Sequence, residues 1–111
     1  MRTDYNDNPK GGLTMGVRHA REYSDILKDL TDAVGAIERS YEFFEMSRED
    51  WEGLGDTERR EVMEALADDV FYGLGEQPSI AVGGGSVTYM QKHHVIEVAV
   101  DDTEIRIVRL I

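Results

Sequence analysis

Three histidines and a large surplus of carboxylates are the residues of this chain that could do chemistry. His93 and His94 are adjacent, and imidazole both ligates metals and titrates near neutral pH. Neighbouring side chains on a strand point to opposite faces, so the pair could chelate one ion only through a twisted turn. A turn or edge position without chemistry is the expectation. His19 and Glu22 stand at i and i+3, half of a metal site on a helix. Dimetal carboxylate bundles use Glu-x-x-His twice with two further glutamates; here the order is reversed and occurs once, so no metal is expected. Gly83-Gly84-Gly85-Ser86 offers the glycines of a phosphate cradle. A P-loop, however, passes from strand through Lys-Ser/Thr into a helix, whereas this loop enters a β-pattern without lysine and reads as a hairpin turn. No serine lies in a Gly-x-Ser-x-Gly elbow, and the chain contains no cysteine. Disulfides, thiolate nucleophiles and Cys-type metal sites are thereby excluded, in keeping with a reducing compartment such as the cytoplasm. Neither catalytic residues nor a cofactor are expected.

The carboxylates form the stronger pattern. The 111 residues include 23 Asp and Glu against 12 Lys and Arg, a net charge of −11. That field opposes a phosphate backbone, whose binding depends on Lys and Arg displacing counterions, so direct nucleic-acid binding is not expected. Glu22, Asp25, Asp29 and Asp32 recur at helical spacing, as do Glu58, Glu61, Glu64 and Asp68. A third series, Glu38, Glu42, Glu45, Glu49 and Glu52, lines one face only if a helix persists through it. Like charges one turn apart destabilise a helix by a few tenths of a kcal/mol per pair, which gives the stacking a cost. Such a ridge could enter a basic groove built for nucleic acid, in place of phosphates. The competing explanation is a solvated coat, for solubility or salt adaptation; the basic residues are 9 Arg and 3 Lys.

These residues must be positioned by helices first and strands later. Tyr23, Leu27, Leu30, Val34, Ile37, Tyr41 and Phe44 alternate four and three apart, predicting one long helix within Val17 to Met46. Gly35 sits inside it at a cost of roughly 1 kcal/mol. Ser47 with Asp50 predicts a capped short helix over Arg48 to Gly53 carrying Trp51. Asp56 or Thr57 opens a second full helix through Val62, Met63, Leu66, Val70 and Phe71, ended by Gly73 or Gly75.

After Pro78 the period becomes two. A turn at Lys92-His93 pairs Tyr89 with Ile96 and Val87 with Val98. A two-residue turn at Asp101-Asp102 pairs Val98 with Ile105, Ile96 with Ile107 and Glu97 with Arg106. The core face of the sheet is then Val87, Tyr89, Ile96, Val98, Ile105 and Ile107; a three-residue turn is rejected because it mixes polar with apolar positions. Ile80-Ala81-Val82 supplies a fourth strand. Thr88, Met90, Val95, Glu97, Arg106 and Val108 fall on the outer face, with Met90, Val95 and Val108 the candidate oligomer interface.

The fold expected is α+β, two main helices (one long) packed on a three- or four-stranded antiparallel meander. Residues 1–14, without apolar periodicity, read as a flexible tail, and residues 15–111 as one domain. No run approaches the ~18 apolar residues of a membrane span, so a soluble chain without a membrane partner is expected. Functionally the sequence reads as a non-enzymatic acidic module that binds a basic protein, in the manner of a DNA-mimic, anti-restriction or anti-CRISPR inhibitor. Two other readings stand beside it: a structural or regulatory homo-oligomer whose acidity serves only solubility, and a small ligand-binding domain or enzyme using His93, His94 and Tyr89.

Overall fold

The computed structural model describes residues 16–111; the tail expected over residues 1–14 lies outside the described residues. Three helices, α1 (Tyr23–Gly35), α2 (Arg48–Glu52) and α3 (Asp56–Gly73), pack on a four-stranded antiparallel sheet, β1 (Ser79–Val82), β2 (Gly85–Met90), β3 (Val95–Ala99) and β4 (Ile105–Arg109). The strands lie in the order β1-β2-β3-β4, a simple meander. Ile26, Leu30 and Val34 of α1, Leu66, Val70 and Phe71 of α3, and Val87, Ile96 and Val98 of the sheet share one buried apolar cluster.

The long helix of the sequence reading is corrected at Gly35. There the ladder tightens, with Ala36 and Ile37 N–H donating to Ala33 and Val34 carbonyls at 3.2 and 3.1 Å. Arg39 follows in the left-handed region at φ 60°, and Ser40–Phe44 is a short 3-10 turn. The apolar stripe nonetheless reaches its destination: Ile37 and Tyr41 are buried, and Tyr41 stacks on Trp51 at 5.4 Å. The physical cause of the break is a remote contact. The β1–β2 turn lays its backbone on Glu38–Arg39, with Gly84 N–H donating to the Glu38 carbonyl at 2.9 Å.

Local signals hold well elsewhere. Ser47 caps α2 by accepting the Asp50 N–H at 3.1 Å. At α3 the cap is Gly55, one residue earlier than expected, and the Glu58 carboxylate accepts its N–H at 2.8 Å. The β2–β3 register pairs Val87 with Val98 and Tyr89 with Ile96, around a 3-10 turn at Gln91–His93, as the alternation predicts.

At β4 the expected register is wrong by one residue. Ile96 faces Val108, Glu97 faces Ile107 and Val98 faces Arg106, so the connection is the three-residue turn that sequence reasoning rejects. Because side chains alternate, the slip exchanges the faces of the whole strand. Ile105 and Ile107 are 57% and 53% exposed while Val108 is 2% exposed. Arg106 pairs with Glu104 at 2.8 Å instead of Glu97. What favours this turn is Asp101, whose Oδ1 accepts the N–H of Thr103 and of Glu104 at 2.8 and 2.9 Å, an Asx-type closure.

The Thr103 N–H, then the Thr103 hydroxyl, then the Glu104 N–H hold the Asp101 carboxyl below its usual range. A depressed folded pKa contributes stability above the unfolded value, and that contribution is lost as pH falls through the folded one. Asp101→Asn is therefore expected to lower the urea midpoint at neutral pH, and the two proteins should converge as pH drops below the ordinary carboxylate range. A gap that stays constant into acid would show that the charge on Asp101 does not hold the turn.

Candidate functional site

Charge is divided unevenly between the layers. Residues 16–78, which contain the helices, carry 17 Asp and Glu against 7 Lys and Arg; residues 79–111, the sheet, carry 4 against 3. Nearly the whole net charge therefore belongs to the helical side. Part of it answers to local helix physics, since Asp25, Glu49, Asp50, Asp56 and Glu58 occupy first turns, where the helix dipole favours anions.

The two ridges drawn from spacing do not stand free. Packing of α1 against α3 brings Asp32 to Arg60 at 2.7 Å, and Arg60 reaches Glu64 at 3.9 Å on its other side. The Asp32 carboxylate, by its hydrogen bond first, holds the Arg60 guanidinium more firmly in its charged form. Asp29 pairs with Arg21 at 3.0 Å, and the same guanidinium donates to the Arg109 carbonyl of β4 at 3.0 Å. Asp68 accepts the hydroxyl of Tyr23; burial first, then this bond and the Asp68 charge, push the Tyr23 phenol far above its ordinary range. Glu58 is engaged at the start of α3. Of the eight carboxylates singled out from the sequence, Glu22, Asp25 and Glu61 are exposed and have neither an ion-pair partner nor a side-chain hydrogen bond among the described residues. The third series loses its common face altogether, because Arg39 and Glu45 both adopt positive φ and the helix does not run through it.

Where α1, α2 and α3 meet, Asp32, Trp51, Asp56, Arg59, Arg60 and Met63 line a cleft of about 300 Å³. Arg59 lies over the Trp51 ring, 5.5 Å from its centroid. It also donates to the Trp51 and Glu52 carbonyls at 3.1 and 3.0 Å, satisfying the end of α2 with a cation where the dipole favours one. A second cleft of about 310 Å³ is lined by Arg18, Leu74, Glu76, Pro78, Tyr89 and Gln91, and the Tyr89 hydroxyl accepts the Arg18 N–H at 3.1 Å.

The histidines stay apart. His93 and His94 are exposed, His94 at φ 56° closing the 3-10 turn, and neither lines these clefts. His19 is hydrogen-bonded through Nδ1 to the Val17 carbonyl at 3.0 Å and sets its edge against Phe71. Among the described residues no group of three His, Asp or Glu could hold a metal ion. The space above the glycine turn is filled by the chain itself, since a Cβ on Gly83 would lie 2.4 Å from the Arg39 carbonyl oxygen.

Of the outer-face trio, Met90 and Val95 are half-buried on that face, whereas Val108 turns into the core. Ile105, Ile107 and Arg109 take its place opposite Ala99, Glu97 and Val95. Sequence reasoning missed the two isoleucines as surface residues; the available signal was the Ile107-Val108 step, where the alternation of the strand changes phase. No helix among the described residues is long and apolar enough to cross a membrane. Comparison with known proteins returns no match to a family model, a curated protein or a solved structure.

Proposed function

We propose that this chain is a non-enzymatic protein-binding module whose acidic helical layer engages a basic partner, most concretely a nucleic-acid-handling protein that it inhibits by occupying a phosphate-binding groove. The observation that supports this reading is the segregation of charge, 17 acidic against 7 basic residues on the helical side and near balance in the sheet. A coat serving solubility alone has no need of one side. Pairing with arginines removes Asp29, Asp32 and Glu64 as principal contacts, so Glu22, Asp25 and Glu61 carry the recognition. Long-range attraction of this kind raises the association rate and weakens with salt.

The test is capture by the immobilised chain from a lysate of the native cell or its host, at low and high salt. A basic protein should be retained at low salt only, and adding the free chain should displace duplex DNA from it. The triple reversal Glu22→Lys, Asp25→Lys and Glu61→Lys is expected to weaken binding by about tenfold or more. Capture that is indifferent both to salt and to the reversal ends this reading.

A further inference from the structure

We infer that the free edge of β4 pairs antiparallel with β4 of a second copy of this chain, about a twofold axis at Ile105. β4 is the last strand of the sheet. Two hydrogen bonds fix which of its backbone groups are used internally: Leu110 N–H donates to the His94 carbonyl at 3.0 Å, and Val100 N–H to the Glu104 carbonyl at 2.9 Å. In an antiparallel ladder the bonded positions alternate. Glu104, Arg106 and Val108 thus turn their N–H and C=O groups toward β3, while Ile105 and Ile107 turn theirs outward.

Natural sheets guard such an edge with short strands, charged side chains, proline, a bulge or a covering element; the charges at this edge, Glu104 and Arg106, are of opposite sign and can pair across it. Among the described residues the far end of this edge is covered, where the Arg21 side chain donates to the outward Arg109 carbonyl at 3.0 Å. The stretch Asp101 to Ile107 is exposed throughout, and its two isoleucines sit on the outer face beside the open ladder positions.

Charge selects the occupant. With Ile105 on the twofold axis, Glu104 lies directly opposite Arg106 of the other copy, and Arg106 opposite its Glu104, so both signs needed are supplied by the same short strand. These two side chains already reach each other within one chain, at 2.8 Å, which places both at the right level to re-pair across the axis. Moving the axis by one residue would set Arg106 against Arg106, and moving it by two would require the Arg109 carbonyl that Arg21 occupies. The net charge of −11 opposes association of two copies, but it resides on the helical side and leaves the sheet close to neutral. A contact this short falls below the area of a stable interface, so the dimer is weak.

Sedimentation of the full chain from low micromolar to millimolar concentration reads the result directly. Wild type should pass from monomer to dimer. Ile105→Lys and Arg106→Glu should each leave it monomeric, and combining Glu104→Arg with Arg106→Glu should restore the dimer. The altered side chains are exposed, so unchanged circular dichroism and melting at low concentration separate loss of pairing from loss of fold. A strict monomer at millimolar concentration overturns the inference, and so does a dimer that is insensitive to these exchanges.

Discussion

Val108→Asp is expected to leave the chain largely unfolded at room temperature, whereas Ile107→Asp, one residue earlier, should change stability by no more than about 1 kcal/mol. Val108 is 2% exposed and faces Ile96 inside the apolar cluster. A carboxylate there has no partner and must either give up its hydration or be protonated. The cost is at least about 4 kcal/mol, a large share of the 5–15 kcal/mol that holds a domain together. Ile107 is 53% exposed and its side chain can be exchanged in water. The pair measures the register itself, because a two-residue turn at Asp101-Asp102 would reverse the order of the two effects. Urea unfolding at low micromolar concentration is the appropriate measurement.

Gly83→Ala should cost about 3 kcal/mol and lower the melting temperature by about 10–20 °C. Gly83 has φ 50°, and an added Cβ would stand 2.4 Å from the Arg39 carbonyl oxygen and 2.6 Å from that of Glu38. Both obstacles are backbone, so the hairpin must lift from the helical layer or the segment after α1 must move. Neither can happen without disturbing Ile37, which is buried next to Gly85. Gly84→Ala is the internal control. Its Cβ would meet the Arg39 guanidinium at 3.3 Å and the Glu38 carbonyl at 3.4 Å, distances that small adjustments accommodate, and the expected loss is under about 1 kcal/mol. Equal losses at both positions would show that the turn is limited by glycine flexibility in general and not by its contact with Glu38–Arg39.

Much of this architecture was legible because it depends on neighbours in sequence. Ser47 and Asp50 announce the start of α2, Met63, Leu66 and Val70 mark the buried face of α3, and the alternation from Val87 to Val98 sets the β2–β3 register. The first helix was misjudged because Leu30, Val34, Ile37 and Tyr41 keep a helical period although the chain stops being helical at Gly35. Periodicity reports which residues are buried; it does not say whether the backbone between them is continuous. The pairing within the acidic ridges was hidden for a related reason. Spacing on one helix identifies a shared face but not what the neighbouring helix presents to it, and here Arg60 stands between Asp32 and Glu64.

The β4 strand shows where the boundary lies. Ile105 and Ile107 form one apolar set and Val108 and Leu110 another, so either register buries two aliphatic side chains and pattern alone cannot rank them. The choice was made by the Asp101 turn and by the docking of Leu110 against the segment before α1. By itself the sequence determined the class of the fold, the order of its elements and the sign and amount of its charge, all of which follow from local periodicity and composition. Tertiary structure alone decided where α1 ends, which carboxylates are already paired and which face of β4 meets water. The first two turn on contacts between residues far apart in the chain, whose energies no local window contains, and the third joins the local Asp101 turn to the distant docking of Leu110.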